Sequence, residues 1–253
     1  MKAYKGPHRS HNYKFLLQRW RTLCRASGMR MQQIAEVDGF PCYEVVSPVI
    51  PTQPTIYLSA GIHGDEAGST EGLLRWAESR QHQLSLLPLL IYPCLNPWGL
   101  KNNSRLDANG IDLNRIWDHA QNPLVYKIKE KTDNIHLSLV LTLHEDFDGQ
   151  GVYLYEPSGN GRSNGRAEGI IQSSQQWIQP DPRRMIDGRR ARNGIIRPRS
   201  NNPPEDGIPE ALYFYRRHKC PTFTFETPSE CDLNLRIEAQ SAMIQRAVTS
   251  IQE

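Results

Sequence analysis

Five short apolar runs, each closed by turn residues, constrain this chain most: residues 54–60 (PTIYLSA), 89–96 (LLIYPCLN), 137–145 (LSLVLTLHE), 151–156 (GVYLYE) and 222–227 (TFTFET). Their β-branched, aromatic and nearly continuous apolar character reads as strands covered on both faces. Helical stretches fall between them, at about 67–80, 123–134, 165–178 and 209–218. A last helix follows Ser229 and Asp232, read as a capping pair, with Leu233, Ile237, Ile244, Val248 and Ile251 at helical spacings. Strands alternating with helices predict an α/β fold with a mainly parallel or mixed sheet. With no internal repeat and no linker, residues 1–253 are expected to form a single domain, in which residues 1–40 are a helical or loop extension.

Charge and composition exclude several classes of function. Lys and Arg number 30 against 27 Asp and Glu, a formal net charge of +3, which gives no support to a nucleic-acid or anionic-membrane role. No apolar run approaches the roughly 18 residues that span a bilayer, and the N-terminal stretch lacks the apolar core of a secretory signal, so a cytoplasmic protein is expected. Cys24, Cys42, Cys94, Cys220 and Cys231 are odd in number and form no CxxC pair, a pattern of reduced thiols. The segment 157–209 is rich in Gly, Asn, Pro and Arg and reads as a long irregular loop. Its seven arginines between Arg183 and Arg199 suit either an anionic substrate or a solvated surface.

The chemistry begins in LSAGIHGDEAGSTEGL, residues 58–73, where His63 and Glu66 stand three residues apart just beyond an apolar strand. In open α/β sheets that edge is where ligands bind, and an imidazole and a carboxylate at this spacing can meet one zinc ion. A catalytic zinc takes three protein ligands, and His144, at the end of LSLVLTLH, is the third candidate. Glu226, at the end of an apolar strand, is a candidate general base; a helix cap or a salt bridge is the plainer reading. Glu145 and Asp146 compete for that role, although as neighbours of a ligand they suit supporting contacts better. In NNSRLDANGIDLNRIW, Arg105 could stabilise an oxyanion, and Asn114 with Arg115 could grip a carboxylate; in isolation this is a polar loop.

Taken in order, HGDE, an Arg nine residues before the Asn of GIDLNR, a strand-end His and the Glu of FTFE resemble the M14 zinc carboxypeptidases over about residues 56–229. The resemblance implies a three-layer α/β/α fold with a mixed sheet of about eight strands. It also implies one zinc ion per chain on His63, Glu66 and His144, with Glu226 as general base and acid. Arg105 would stabilise the oxyanion, and Asn114 with Arg115 would clamp the substrate's terminal carboxylate. By count, Glu210 and Ala211 fall where the family lines the pocket for the leaving side chain; Glu210 there would favour a basic leaving residue, whereas at the start of a helix it would complement the helix N-terminus.

The expected activity is removal of a C-terminal amino acid from a peptide, such as a murein peptide, as in the small cytoplasmic murein peptide amidases. The expected partner is a small peptide or acyl amino acid, with no nucleic acid and no membrane. The first alternative is an N-acyl amino acid deacylase of the succinylglutamate desuccinylase and aspartoacylase type; those enzymes carry a β-rich domain after the catalytic Glu, where only 27 residues follow Glu226 here. The second is a non-catalytic zinc- or peptide-binding protein. The chain departs from larger family members in having no tyrosine between Glu156 and Tyr213, where they carry one on a mobile loop.

Overall fold

A computed structural model describes residues 9–49, 54–118, 122–157, 165–198, 202 and 204–251. Ten strands form one sheet around which the helices pack. Its centre is four parallel strands, β4 (Leu89–Tyr92), β3 (Thr55–Ala60), β5 (Leu137–Asp146) and β10 (Thr222–Pro228), side by side in that order. These are four of the five apolar runs, and the fifth is β6 (Tyr153–Tyr155), antiparallel to β10.

Both flanks of the sheet contain strands that the apolar pattern did not mark. β1 (Arg30–Val37) and β2 (Phe40–Val46) make a hairpin at one edge, with β2 antiparallel to β4. Its turn is Asp38–Gly39, both at positive φ, the conformation that two-residue hairpin turns require. At the other edge β7 (Met185–Ile186), β8 (Arg189–Arg192) and β9 (Ile195–Ile196) form a meander joined to β6. Asp187–Gly188 and Asn193–Gly194, again at positive φ, make its two turns. The segment expected to be irregular therefore holds this meander as well as α5 (Arg166–Ser174), the helix expected at 165–178.

The pleat separates the central side chains into two cores. Ile56, Leu58, Leu139, Leu141, Leu143, Phe223 and Phe225 face α2 (Ala67–Ser79), α7 (Leu233–Thr249) and α1 (Tyr13–Ser27). Tyr57, Leu90, Tyr92 and Val140 face the opposite way, toward α4 (Pro123–Thr132) and α6 (Glu210–His218). Helix α1 shows why the N-terminal extension folds: Leu16, Leu17, Trp20, Leu23 and Cys24 form one buried stripe, Asn12 caps its start, and Gly28 ends it in the left-handed region. Helix α7 is capped by Asp232, which accepts from Asn234 N and Leu235 N; Ser229 instead donates its N–H to the Asp146 carbonyl, so the two do not form a capping pair.

Candidate metal and carboxylate site

The chain leaves β3 for β4 on one side and later returns to β5 on the other, so the carboxyl ends of β3 and β5 form a switch point in the sheet. His63 lies three residues beyond β3, and His144 lies in the last turn of the pleat in β5. The loop between β3 and α2 fits because Gly64 packs against the backbone of Gly99: a Cβ on Gly64 would sit 1.9 Å from the Gly99 carbonyl carbon. In the parallel ladder Glu226 stands directly opposite His144. Alternation along the strands puts Thr142, His144, Thr224 and Glu226 on the α6 face, and the hydroxyls of Thr142 and Thr224 are 2.9 Å apart.

Donor atoms of His63, Glu66 and His144 all lie within 4.8 Å of one another, and all three residues are buried. His63 Nδ1 is 2.6 Å from Glu66 Oε1, and His144 Nδ1 is 3.0 Å from Glu66 Oε2. His63 Nε2 donates to Asp112 Oδ1 at 3.1 Å, which fixes the tautomer and leaves Nδ1 to meet a cation. Two imidazole nitrogens converging on one buried carboxylate, with the outer nitrogen of one already bonded, fit a divalent metal of the zinc type.

Without the metal, protons hold the same charges together. Burial would lower the His63 pKa, but Glu66 and Asp112 outweigh it and carry it up to about 9. Burial would raise the Glu66 pKa, yet the two histidines pull it far below the carboxylate range. His144 goes the other way, because burial outweighs its carboxylate partner and favours the neutral ring.

Asp112 was not singled out from the sequence, and it organises half of the site. Its Oδ1 accepts from His63 and from Asn114 N at 2.8 Å, while its Oδ2 accepts from Arg105 Nη2 at 2.9 Å and Nε at 3.1 Å. Arg105 Nη1 thereby reaches 3.3 Å from His63 Nδ1, beside the donor set. The readable signal was a carboxylate two residues before the Asn-Arg pair, where a metal-bound histidine needs an outer partner.

A cleft of about 570 Å³ opens over these groups and is lined by His63, Glu66, Arg105, Asn114, Arg115, His144 and Glu226 together. Arg115 Nη1 donates to the Asn114 carbonyl at 2.9 Å, and its Nε donates to Asp206 at 2.6 Å. Asn114 Oδ1 accepts the Glu210 N–H at 2.9 Å. Glu226 makes no hydrogen bond through its carboxylate among the described residues, and burial, then the charges of Glu66, Asp146 and Asp187, push its pKa well above the usual range. Glu145, a competing base, points to the opposite face: its carboxylate accepts from Gly68 N, Thr227 and Arg236, while its own N–H donates to Glu66 Oε2 at 3.1 Å. Asp146 is likewise engaged, accepting from Tyr153 and Arg183.

Glu210 is the one candidate that does not reach the cleft. It is the first residue of α6 and is 1% exposed, and its carboxylate turns inward to accept from the Tyr57 hydroxyl. The helical turn brings its neighbours Ala211 and Leu212 to the cleft wall in its place.

Residues 52–169 match the model of the succinylglutamate desuccinylase/aspartoacylase catalytic domain, a segment that holds every candidate above except Glu210 and Glu226. No curated protein sequence matches the chain. A protein from Shewanella amazonensis SB2B, named as a metallopeptidase, superposes with a TM-score of 0.86 at 18% identity, covering 99% of each chain. A metallo-carboxypeptidase from Burkholderia cenocepacia gives 0.74 at 14% identity over 95% of this chain and 69% of that one. A metallo-carboxypeptidase from Pseudomonas aeruginosa, in complex with (2-guanidinoethylmercapto)succinic acid, gives 0.66 at 16% identity over 93% and 69%. These likenesses show that the chain has the fold of proteins named as metallopeptidases and metallo-carboxypeptidases. More particularly, residues 52–169 are similar to the succinylglutamate desuccinylase/aspartoacylase catalytic domain.

Proposed function

We propose that the chain is a zinc-dependent hydrolase that cleaves an amide bond next to a free carboxylate, releasing a C-terminal amino acid from a small peptide. The observation that carries this reading is the placing of an Asn-Arg pair and a His-Glu-His donor set in one cleft, with Glu226 across from His144. His63, Glu66 and His144 would hold the metal, which supplies Lewis acidity toward a water molecule and a carbonyl. Arg115 and the Asn114 amide bind the terminal carboxylate and so fix which amide bond lies over the donor set. Glu226, with its raised proton affinity, takes a proton from the attacking water and returns it to the leaving amine. Arg105, held flat against Asp112, faces the developing oxyanion. Ala211, Leu212 and Thr224 border the cleft where the leaving side chain would sit, a wall of modest size and little charge.

The match to the deacylase catalytic domain favours a second form of the same chemistry, in which the acyl group is that of an N-acyl amino acid. Both forms need a carboxylate beside the scissile amide. The test is to assay zinc-loaded protein on a peptide, on its C-terminal amide and on an N-acyl amino acid, for the parent and Arg115→Ala. Amidation should cut kcat/KM of the parent by about 100-fold and that of the variant far less, on the scale of one buried charged hydrogen-bond pair. An equal penalty in both proteins would exclude the clamp, and turnover of the N-acyl amino acid alone would select the deacylase.

A further inference from the structure

The side chain of Glu210 is a carboxylate enclosed without a cation. Its Oε1 accepts from Tyr57, a residue of β3 that is itself fully buried, at 2.5 Å. Its Oε2 has no hydrogen-bond partner among the described residues, nor has the Tyr92 hydroxyl, while Ser59 stands close enough to favour the charged carboxylate. Burial pushes the Glu210 carboxyl up to about 7, against the opposing effects of Tyr57, Ser59 and His63. Such a group is costly at a position where an apolar side chain would pack, and its placement is tied to the cleft by the backbone.

The N-cap of α6 is Pro209, which offers no side-chain cap, so the Glu210 N–H takes its acceptor from elsewhere. That acceptor is Asn114 Oδ1. An N–H can only face the oxygen of an amide, so this bond decides which way the Asn114 side chain points. Its oxygen is turned to α6, and its Nδ2 hydrogens are left for the cleft that Asn114 lines. The same residue therefore bonds Tyr57 through its side chain and Asn114 through its main chain.

We propose that Glu210 and Tyr57 are positioning residues for the carboxylate clamp: their buried hydrogen bond anchors the first residue of α6, whose N–H presents the Asn114 amide hydrogens to the substrate's carboxylate. This rests on the reading that Asn114 and Arg115 bind that carboxylate. The leaving-group wall and the clamp are thereby one unit, since Ala211 and Leu212 hang from the same helix end.

The experiment measures KM and kcat on a free-acid peptide and on its C-terminal amide for Tyr57→Phe, Glu210→Leu, Glu210→Gln and Asn114→Ala, each zinc-loaded. Tyr57→Phe removes one hydroxyl without changing shape, so it tests the idea even if Glu210→Leu folds poorly. Tyr57→Phe and Glu210→Leu are expected to raise KM for the acid about tenfold, with kcat and the amide constants unchanged. Glu210→Gln, which keeps an acceptor for Tyr57, should restore most of the preference for the acid. Combining Glu210→Leu with Asn114→Ala should lower the preference no further than Asn114→Ala does alone. Equal changes on acid and amide would mean a general structural role and would overturn the proposal, as would an unchanged preference in Tyr57→Phe while Asn114→Ala loses it. If Asn114→Ala and Arg115→Ala both leave the preference intact, the clamp itself is wrong and the proposal falls with it.

Discussion

Replacing Asp112 by Asn removes one charge and leaves the shape of the side chain, so its effect follows from four hydrogen bonds. Asp112 is ionised at neutral pH, because His63 and Arg105 overcome the effect of burial and hold its pKa far below the carboxylate range. An amide cannot accept on both ends. If its oxygen keeps the bonds from His63 Nε2 and Asn114 N, its NH2 must face Arg105 Nη2 and Nε, two donors now 2.9 and 3.1 Å from an acceptor. The reverse orientation sets the NH2 against His63 and the Asn114 N–H, which is no better. The first arrangement loses the charged bonds to Arg105, on the order of 2 to 3 kcal/mol, and so roughly 30- to 150-fold in kcat/KM. A neutral partner for His63 should also weaken metal binding by about 10- to 100-fold. Competition of the purified variant against a zinc chelator gives the metal affinity, and turnover at saturating zinc gives the catalytic share. If both stayed within twofold of the parent, Asp112 would not be organising the site.

His144→Ala should abolish stoichiometric zinc binding, read by metal analysis after dialysis; one retained zinc per chain would move the site elsewhere. Glu226→Gln should keep the metal and lose about 1000-fold or more in kcat, whereas loss of metal with activity would make Glu226 a ligand. Glu210 adds a pH dependence to stability. Its folded pKa, about 7, is raised above the unfolded value, so the folded state binds the extra proton and stability falls as pH rises from the unfolded pKa to about 7. Urea unfolding at pH 5 and 8 should show Glu210→Gln gaining about 2 to 3 kcal/mol on the parent across that interval, and a constant difference between the two would contradict the buried, unpaired carboxyl.

The parts of the site that could be read from the sequence lie at the ends of apolar strands. His144 and Glu226 close runs whose strand character is plain, and an apolar strand end in an α/β protein has only one edge to face. Pleat parity goes further than the sequence reading took it: His144 and Glu145 must point to opposite faces, which already separates the base candidate Glu226 from Glu145. Asp112 was overlooked because a lone Asp in a polar loop looks like any solvated carboxylate until a metal-bound histidine is placed beside it. The edge strands were missed for a different reason. β1 and β8 are largely polar and partly exposed, so hydrophobic patterning is silent, while the turn pairs Asp38–Gly39, Asp187–Gly188 and Asn193–Gly194 carried the hairpin signal. Glu210 could be placed near the cleft by counting back from Glu226, but counting cannot give the direction of a side chain at a helix start.

Two tyrosines reach the cleft from the sheet. Tyr153 and Tyr155 alternate with Leu154 on β6, so both face the cleft, and Tyr153 stands in register opposite Glu226. Their hydroxyls are already engaged, Tyr153 donating to Asp146 at 3.0 Å and Tyr155 to Asp187 at 2.5 Å. The two aspartates that hold the tyrosines also repel charge on Glu226, raising its pKa alongside burial and Glu66. The hairpin turn at Asp187–Gly188 thus does two things at once: Asp187 adds to the far wall of the cleft, and its charge helps raise the proton affinity of the carboxyl opposite His144.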